Sequence, residues 1–141
     1  MNAPQADLKI TPAGSGATSA PEQYFTGDVE ISGLYQADAP ARVGGATVSF
    51  SAGARTAWHT HPLGQTLFIV SGSGWVQKEG EPVQHVGPGD VVWIPPHVRH
   101  WHGASSTRPM AHFAVAEALN GSSVTWMEKV TDEEYGKGAE N

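Results

Sequence analysis

The stretch Gly53-Ala54-Arg55-Thr56-Ala57-Trp58-His59-Thr60-His61-Pro62-Leu63-Gly64-Gln65 sets two imidazoles two residues apart and a carboxamide four residues beyond the second. On a strand, residues two apart project to the same side, so His59 and His61 face one way together. Two imidazoles so placed are a metal-ligand geometry that awaits partners. Seven histidines and no cysteine make nitrogen and oxygen the available ligand atoms. A bare His-x-His pair reads equally well as two sheet histidines satisfied by hydrogen bonds, so its meaning depends on what the rest of the chain supplies.

Outward from this stretch the chain reads as strands. Upstream, Val43–Phe50 alternates, with Ala46, Val48 and Phe50 on one side and Thr47 and Ser49 on the other. Before Pro40, the run Tyr24–Ser32 also alternates, and Phe25, Val29 and Ile31 can share a face. Downstream, the apolar runs Leu67–Val70 and Val91–Ile94 predict strands covered on both faces. Ser71-Gly72-Ser73-Gly74 predicts a turn, with Trp75–Lys78 as the hairpin partner of the run before it. Gly87-Pro88-Gly89-Asp90 is a second turn, and Pro95-Pro96 stops the strand that follows it. Alternation then places His100 and His102 on one face with Trp101 on the other, and aligns His112 with the small residues Ala114 and Ala116. Only Thr131-Asp132-Glu133-Glu134 looks helical, as a capping box opening one or two turns. Many short strands with Gly/Pro turns and almost no helix predict an all-β sandwich or barrel.

At 141 residues the chain fits one domain, and its Ala/Pro/Gly/Ser-rich start predicts a flexible arm over 1–22 ahead of a domain over 23–141. The formal charge of −6, without a basic run, argues against nucleic acid as a partner. No stretch has the length and apolarity of a membrane span or the pattern of a signal peptide, and with cysteine absent a cytoplasmic location is expected.

Gly53, His59, His61, Gln65 and Gly72, followed by Gly89, Pro95 and His100, resemble the two motifs of the cupins, with Gln65 where that family usually has Glu. The resemblance implies a double-sheet jelly-roll barrel, here with a short C-terminal helix, and one divalent metal bound by His59, His61, Gln65 and His100. Two positions depart from the pattern. His97 replaces a glycine and is read as a surface turn residue, and Ala104 replaces an asparagine. Gln65 is the informative change: three neutral imidazoles and a carboxamide leave a formal +2 centre where a Glu would leave +1, which makes a bound ion a stronger electrophile.

The segments Gly53–Leu67, Gly89–Trp93, His100–Ala104 and Trp126–Tyr135 are similar, more narrowly, to the cupin-type R-selective hydroxynitrile lyases, a similarity running from about Tyr24 to Tyr135. It implies Mn2+ as the ion, a donor set that Fe2+, Ni2+ or Zn2+ could also occupy, and reversible cleavage of small-molecule cyanohydrins such as mandelonitrile to aldehyde and HCN. It further implies His102 and His112 as acid/base residues, with His112 the first candidate for removing the hydroxyl proton, and assembly as a homodimer or homotetramer. A pocket Gln of that family is Ala116 here. Candidates for an apolar pocket are Val48, Phe50, Leu67, Phe68 and Trp93. Two other classes share these features: a cupin dioxygenase acting on a small organic substrate, and a non-catalytic cupin that binds a small ligand. Free imidazole titrates near a pKa of about 6.5, so metal occupancy is expected to fall below roughly pH 6.

Overall fold

The computed structural model describes residues 7–140. In chain order the strands are β1 (Thr18–Ser19), β2 (Phe25–Thr26), β3 (Val29–Gln36), β4 (Val43–Phe50), β5 (Arg55–Thr56), β6 (His59–Thr60), β7 (Gln65–Gly72), β8 (Gly74–Lys78), β9 (Gln84–Val86), β10 (Val91–Ile94), β11 (His100–Ala104), β12 (Met110–Glu117) and β13 (Thr125–Trp126). A short helix α1 (Asp132–Gly136) and a 3-10 turn (Lys137–Glu140) follow. One antiparallel sheet has the order β1-β3-β4-β12-β7-β10, and the other runs β13-β6-β11-β5-β2, with β8 pairing β11 and β9. The protein is an all-β double-sheet barrel with a short C-terminal helix, as expected.

Between the sheets lies a core built from alternate residues, among them Phe25, Val29, Val48, Phe50, Leu67, Ile69, Ile94 and Met110. Along β4 the alternation holds as read: Ala46, Val48 and Phe50 are buried while Thr47 and Ser49 are half-buried. Burying a side chain such as Phe50 contributes about 1.5–3 kcal/mol. A second cluster lies behind β11, where Trp58, Trp75, Val83, Trp101, Val130 and Tyr135 pack together. The capping box opens α1 as predicted, with the Thr131 side chain accepting from Glu134 N–H and the Glu134 carboxylate accepting from Thr131 N–H. Arg55 fastens this C-terminal segment: its guanidinium donates to Val130 O and Asp132 Oδ1, both at 2.8 Å, and lies 4.6 Å from the Tyr135 ring centroid.

Two local readings are corrected, the hairpin at Ser71–Gly74 and the two-sided cover of the apolar runs. The alternating run Tyr24–Ser32 divides between the sheets, β2 pairing with β5 in one and β3 with β4 in the other, while Phe25, Val29 and Ile31 meet at one core. Ser71–Gly74 is a crossing between sheets rather than a hairpin turn: β7 pairs with β12 and β10, whereas β8 pairs with β11 and β9. Gly72 makes the corner with φ +81°, and a Cβ there would collide with the Pro109 carbonyl. The apolar runs are not covered on both faces, since Leu67, Ile69 and Ile94 enter the core while Phe68, Val70, Val91 and Trp93 point outward and are exposed. Within the stretch read as a flexible arm, Thr18–Ser19 adds an edge strand to β3, and Lys9 pairs with Asp38 at 2.7 Å. Residues 1–6 of that stretch lie outside the described residues. Among the described residues, no helix is long and apolar enough to cross a membrane.

Candidate metal centre and histidine pair

The sheet whose centre is β6 and β11 presents three imidazoles to the barrel interior. His59 on β6 stands between His100 of β11 and Trp126 of β13, its cross-strand neighbours. His61 follows one residue after β6. The ring nitrogens that His59, His61 and His100 can offer a metal lie within 4.8 Å of one another, and all three residues are buried. Ring centroids are 4.1 Å apart for His59 and His100, 5.0 Å for His59 and His61, and 5.5 Å for His61 and His100. Gln65 comes from the opposite sheet as the first residue of β7, where it faces Ala116 of β12.

Each of these imidazoles has one nitrogen committed to a backbone carbonyl. His59 Nδ1 lies 2.8 Å from Ala57 O, His61 Nδ1 2.7 Å from Ser123 O, and His100 Nδ1 2.9 Å from Val98 O. A carbonyl only accepts, so Nδ1 carries the proton in each ring and the Nε2 lone pair is left free. That tautomer is the one a metal-ligating histidine needs, with the ring orientation fixed by the outer hydrogen bond. His61 Nε2, His100 Nε2 and Gln65 Oε1 are buried without a hydrogen-bond partner. Gln65 lies close enough to favour a proton on His61, yet the two atoms do not meet in hydrogen-bond geometry. Buried acceptors left unpaired cost free energy, roughly 1–3 kcal/mol each, which an ion at their focus removes. The donor set therefore fits a divalent metal.

Farther into the barrel, His102 of β11 and His112 of β12 form a second unit. His112 Nε2 and His102 Nδ1 are 3.0 Å apart, the two rings meet edge to face, and both residues are buried. His102 is the member nearer the donor set, with its ring centroid 5.2 Å from that of His59. His102 Nε2 and His112 Nδ1 are buried and unpartnered. Phe50 packs against both rings, at 6.1 Å from His102 and 5.4 Å from His112.

Burial sets the protonation of all five imidazoles. It is the largest cause lowering His59 and His102 well below the ordinary value, reinforced by repulsion from neighbouring histidines. It lowers His100 and His112 to about 4, and it lowers His61 against the opposing pull of the Ser123 carbonyl and Gln65. The rings are neutral at neutral pH, the form that a metal ligand or a general base requires. Loss of ligand basicity is accordingly set lower on the pH scale than the value of about 6 taken from free imidazole.

A cavity of about 250 Å³ leads to Gln65, lined by the small residues Ala46, Ala114 and Ala116 and by Ser123 and Arg42. Of the residues expected to form an apolar pocket, Val48, Phe50 and Leu67 are buried inside the barrel, while Phe68 and Trp93 are on its outer face. His97 sits exposed in the turn after Pro95-Pro96 at φ +64°, away from the cluster as read. Sequence reasoning missed the backbone carbonyls of Ala57, Val98 and Ser123, which any residue could supply. It also missed Trp126, whose ring lies 4.7 Å from that of His59 and stacks on Tyr24 at 4.8 Å.

A double-sheet barrel that converges three carbonyl-anchored imidazoles from one sheet and a carboxamide from the other is a cupin-type centre. The chain belongs to the cupin family: the cupin-domain profile matches residues 46–116. It is 54% identical over 129 residues, covering 91% of this chain and 98% of the relative, to a Granulicella tundricola protein named as an (R)-mandelonitrile lyase. Among solved structures, a cupin-like protein from Thermotoga maritima superposes with TM-score 0.81 at 33% identity, covering 92% of this chain and 97% of that one. A DMSP lyase from Ruegeria pomeroyi shares the fold at TM-score 0.61 and 18% identity, covering 79% of this chain and 61% of that one.

Proposed function

We propose that the protein is a metal-dependent hydroxynitrile lyase that reversibly splits cyanohydrins such as mandelonitrile into an aldehyde and HCN. The observation that carries this reading is the hydrogen-bonded His102–His112 pair beside the His59, His61, His100 and Gln65 donor set, in a chain 54% identical to a relative named as an (R)-mandelonitrile lyase.

His59, His61 and His100 would hold the ion through Nε2 and Gln65 through Oε1, and Mn2+ suits a set that mixes imidazole with a hard oxygen donor. Such an ion supplies positive charge that stabilises negative charge developing on a carbinol oxygen. The His102–His112 pair provides the base. Both rings are neutral at neutral pH, and each keeps one unpartnered nitrogen, so a hydroxyl proton accepted at His102 Nε2 or His112 Nδ1 is shared across the 3.0 Å contact. As the carbon–carbon bond breaks, the carbinol carbon becomes the aldehyde and the electron pair leaves with cyanide. The imidazolium returns its proton to cyanide as HCN. Phe50, packed on both rings, keeps water from competing for that proton. Ala114 and Ala116 leave the cavity at Gln65 open to the rest of the substrate.

Mandelonitrile incubated with manganese-loaded protein tests the reading, with benzaldehyde followed by absorbance and HCN trapped separately. Equal amounts of both products above buffer are expected, and release no faster than in buffer overturns the lyase assignment.

A further inference from the structure

We propose that the cavity at Gln65 selects a cyanohydrin that carries a carboxylate, held by Arg42 at the cavity's outer end, a reading that rests on the lyase assignment for the chemistry at the carbinol. Strand register orders the cavity from outside to inside. Arg42, Gly44 and Ala46 alternate along one side of the chain, and all three line it. Beside them, Ala118 N–H donates to Arg42 O at 2.9 Å, and Ala116 pairs with Gly44, Ala114 with Ala46 and His112 with Val48. Gln65 pairs with Ala116 from the other flank. Arg42 therefore stands one step, roughly 7 Å of strand, outside the row that holds Gln65, and His112 lies two steps inside it. Arg42 is exposed and His112 buried, so the guanidinium marks the mouth.

Between the two ends the walls are small. Gly44 has no side chain, and Ala46, Ala114 and Ala116 contribute only methyl groups. Gln36, the other long side chain at this end, is folded flat: its amide donates to Val43 O at 3.1 Å, and its Oε1 lies 2.5 Å from the place a Cβ on Gly44 would take. On the facing wall, Ser123 holds His61 Nδ1 through its carbonyl, so the cavity adjoins the donor set.

Arg42 is the one charged residue that lines this space. Lys9, Arg55, Lys78 and Arg99 each have a carboxylate partner, whereas Arg42 has none among the described residues. The acids nearest in the fold are turned elsewhere. Asp38 is bound to Lys9, and Glu117 lines a groove beside Trp93 on the outer face of the sheet. In a chain of net charge −6, an unopposed guanidinium at a cavity mouth attracts anions, and its paired N–H donors match a carboxylate. The volume of about 250 Å³ restricts the ligand to a small molecule. A benzene ring with the carbinol at one end and the carboxylate at the other, as in para-carboxymandelonitrile, reaches from the row of Gln65 to Arg42.

The test compares para-carboxymandelonitrile with its methyl ester, which keeps the shape and removes the charge. Manganese-loaded wild type, Arg42→Lys and Arg42→Glu are assayed on both. Wild type is expected to favour the carboxylate by about 10-fold in kcat/KM, the effect of one charge-assisted contact, and mainly through KM because Arg42 is remote from the breaking bond. Arg42→Lys should keep part of the preference, Arg42→Glu should reverse it, and added salt should shrink it. Each ratio is taken within one variant, so a change in folded fraction cancels. Calorimetric titration with para-(hydroxymethyl)benzoate and its methyl ester, which have a carbinol but no nitrile to release, should give dissociation constants in the same order. Equal kcat/KM and equal affinity for the charged and neutral members in wild type overturn the proposal, as does a preference that survives Arg42→Glu. Binding that follows Arg42 without cleavage of either cyanohydrin removes the lyase assignment and leaves the carboxylate site standing.

Discussion

β11 has two faces, and they treat polarity in opposite ways. Toward the barrel interior it presents His100 and His102; toward α1 it presents Trp101, which is fully buried. Behind the strand, Trp101 and Tyr135 have their polar atoms satisfied. Trp101 Nε1 donates to Gln77 at 2.7 Å and the Tyr135 hydroxyl donates to Ala104 O at 2.7 Å. In front of it, His61, Gln65, His100, His102 and His112 each keep a buried polar atom without a partner. The difference separates a cluster built for stability from one held ready for a ligand. An apolar face that can afford no gaps supports a polar face that is left incomplete.

Substitutions on the two faces should therefore fail differently. The largest effect is expected from His59→Ala, which removes the imidazole flanked by His100 and Trp126 and should abolish turnover and metal retention together, read by metal analysis after gel filtration. Next, His102→Ala and His112→Ala should lower kcat by about 100- to 10,000-fold, the range of a lost general base, while the metal content stays at the wild-type ratio. Metal loss in either variant would merge the two units into one. On the opposite face, Trp101→Ala should destabilise by about 3–5 kcal/mol in thermal or denaturant unfolding, with activity per folded chain close to wild type.

Between about pH 6.5 and 4.5, acid should act mainly on the histidine face. Burial lowers His100 and His112 to about 4 in the folded protein, whereas the unfolded chain protonates them near 6.5. The folded state therefore binds fewer protons between these values, and each group's contribution is fully present above about pH 6.5. It declines as pH falls through that window toward about 4, by roughly 3 kcal/mol per group at most. Denaturant titrations of chelator-stripped protein at several pH values should show this slope, and a flat profile from pH 7 to 4.5 would contradict it. The smallest effect is expected from Tyr135→Phe, about 1 kcal/mol for the lost hydrogen bond to Ala104 O, with turnover unchanged.

Much of this contrast was legible in the chain. The His59/His61 pair and the alternation His100-Trp101-His102 follow strand periodicity, with His61 one residue past β6, whereas Gln65, which opens β7 in the other sheet, was legible only through its resemblance to the cupin motif. The all-β class followed from the Gly/Pro punctuation between short apolar runs. Periodicity failed where a feature depends on a distant partner. It could not show that Gly72 turns a corner against Pro109 instead of closing a hairpin, because Pro109 is 37 positions away in the chain. Nor could it tell a run buried on both faces from one whose second face is exposed, and so it misplaced Phe68 and Trp93. The lowered basicity of the imidazoles escaped it for the same reason, since burial comes from the opposing sheet.

The account turns on whether the unpartnered nitrogens and the carboxamide of the inner face exist to hold an ion that the reaction needs. Titrating Mn2+ into chelator-stripped protein, while following benzaldehyde release from mandelonitrile and bound metal in the same samples, tests this most directly. Activity should rise in proportion to bound metal, saturate at one ion per chain, and be absent in His59→Ala at every metal concentration. Stripped protein that already cleaves at the saturated rate, or one ion bound per chain with no cleavage, would contradict it.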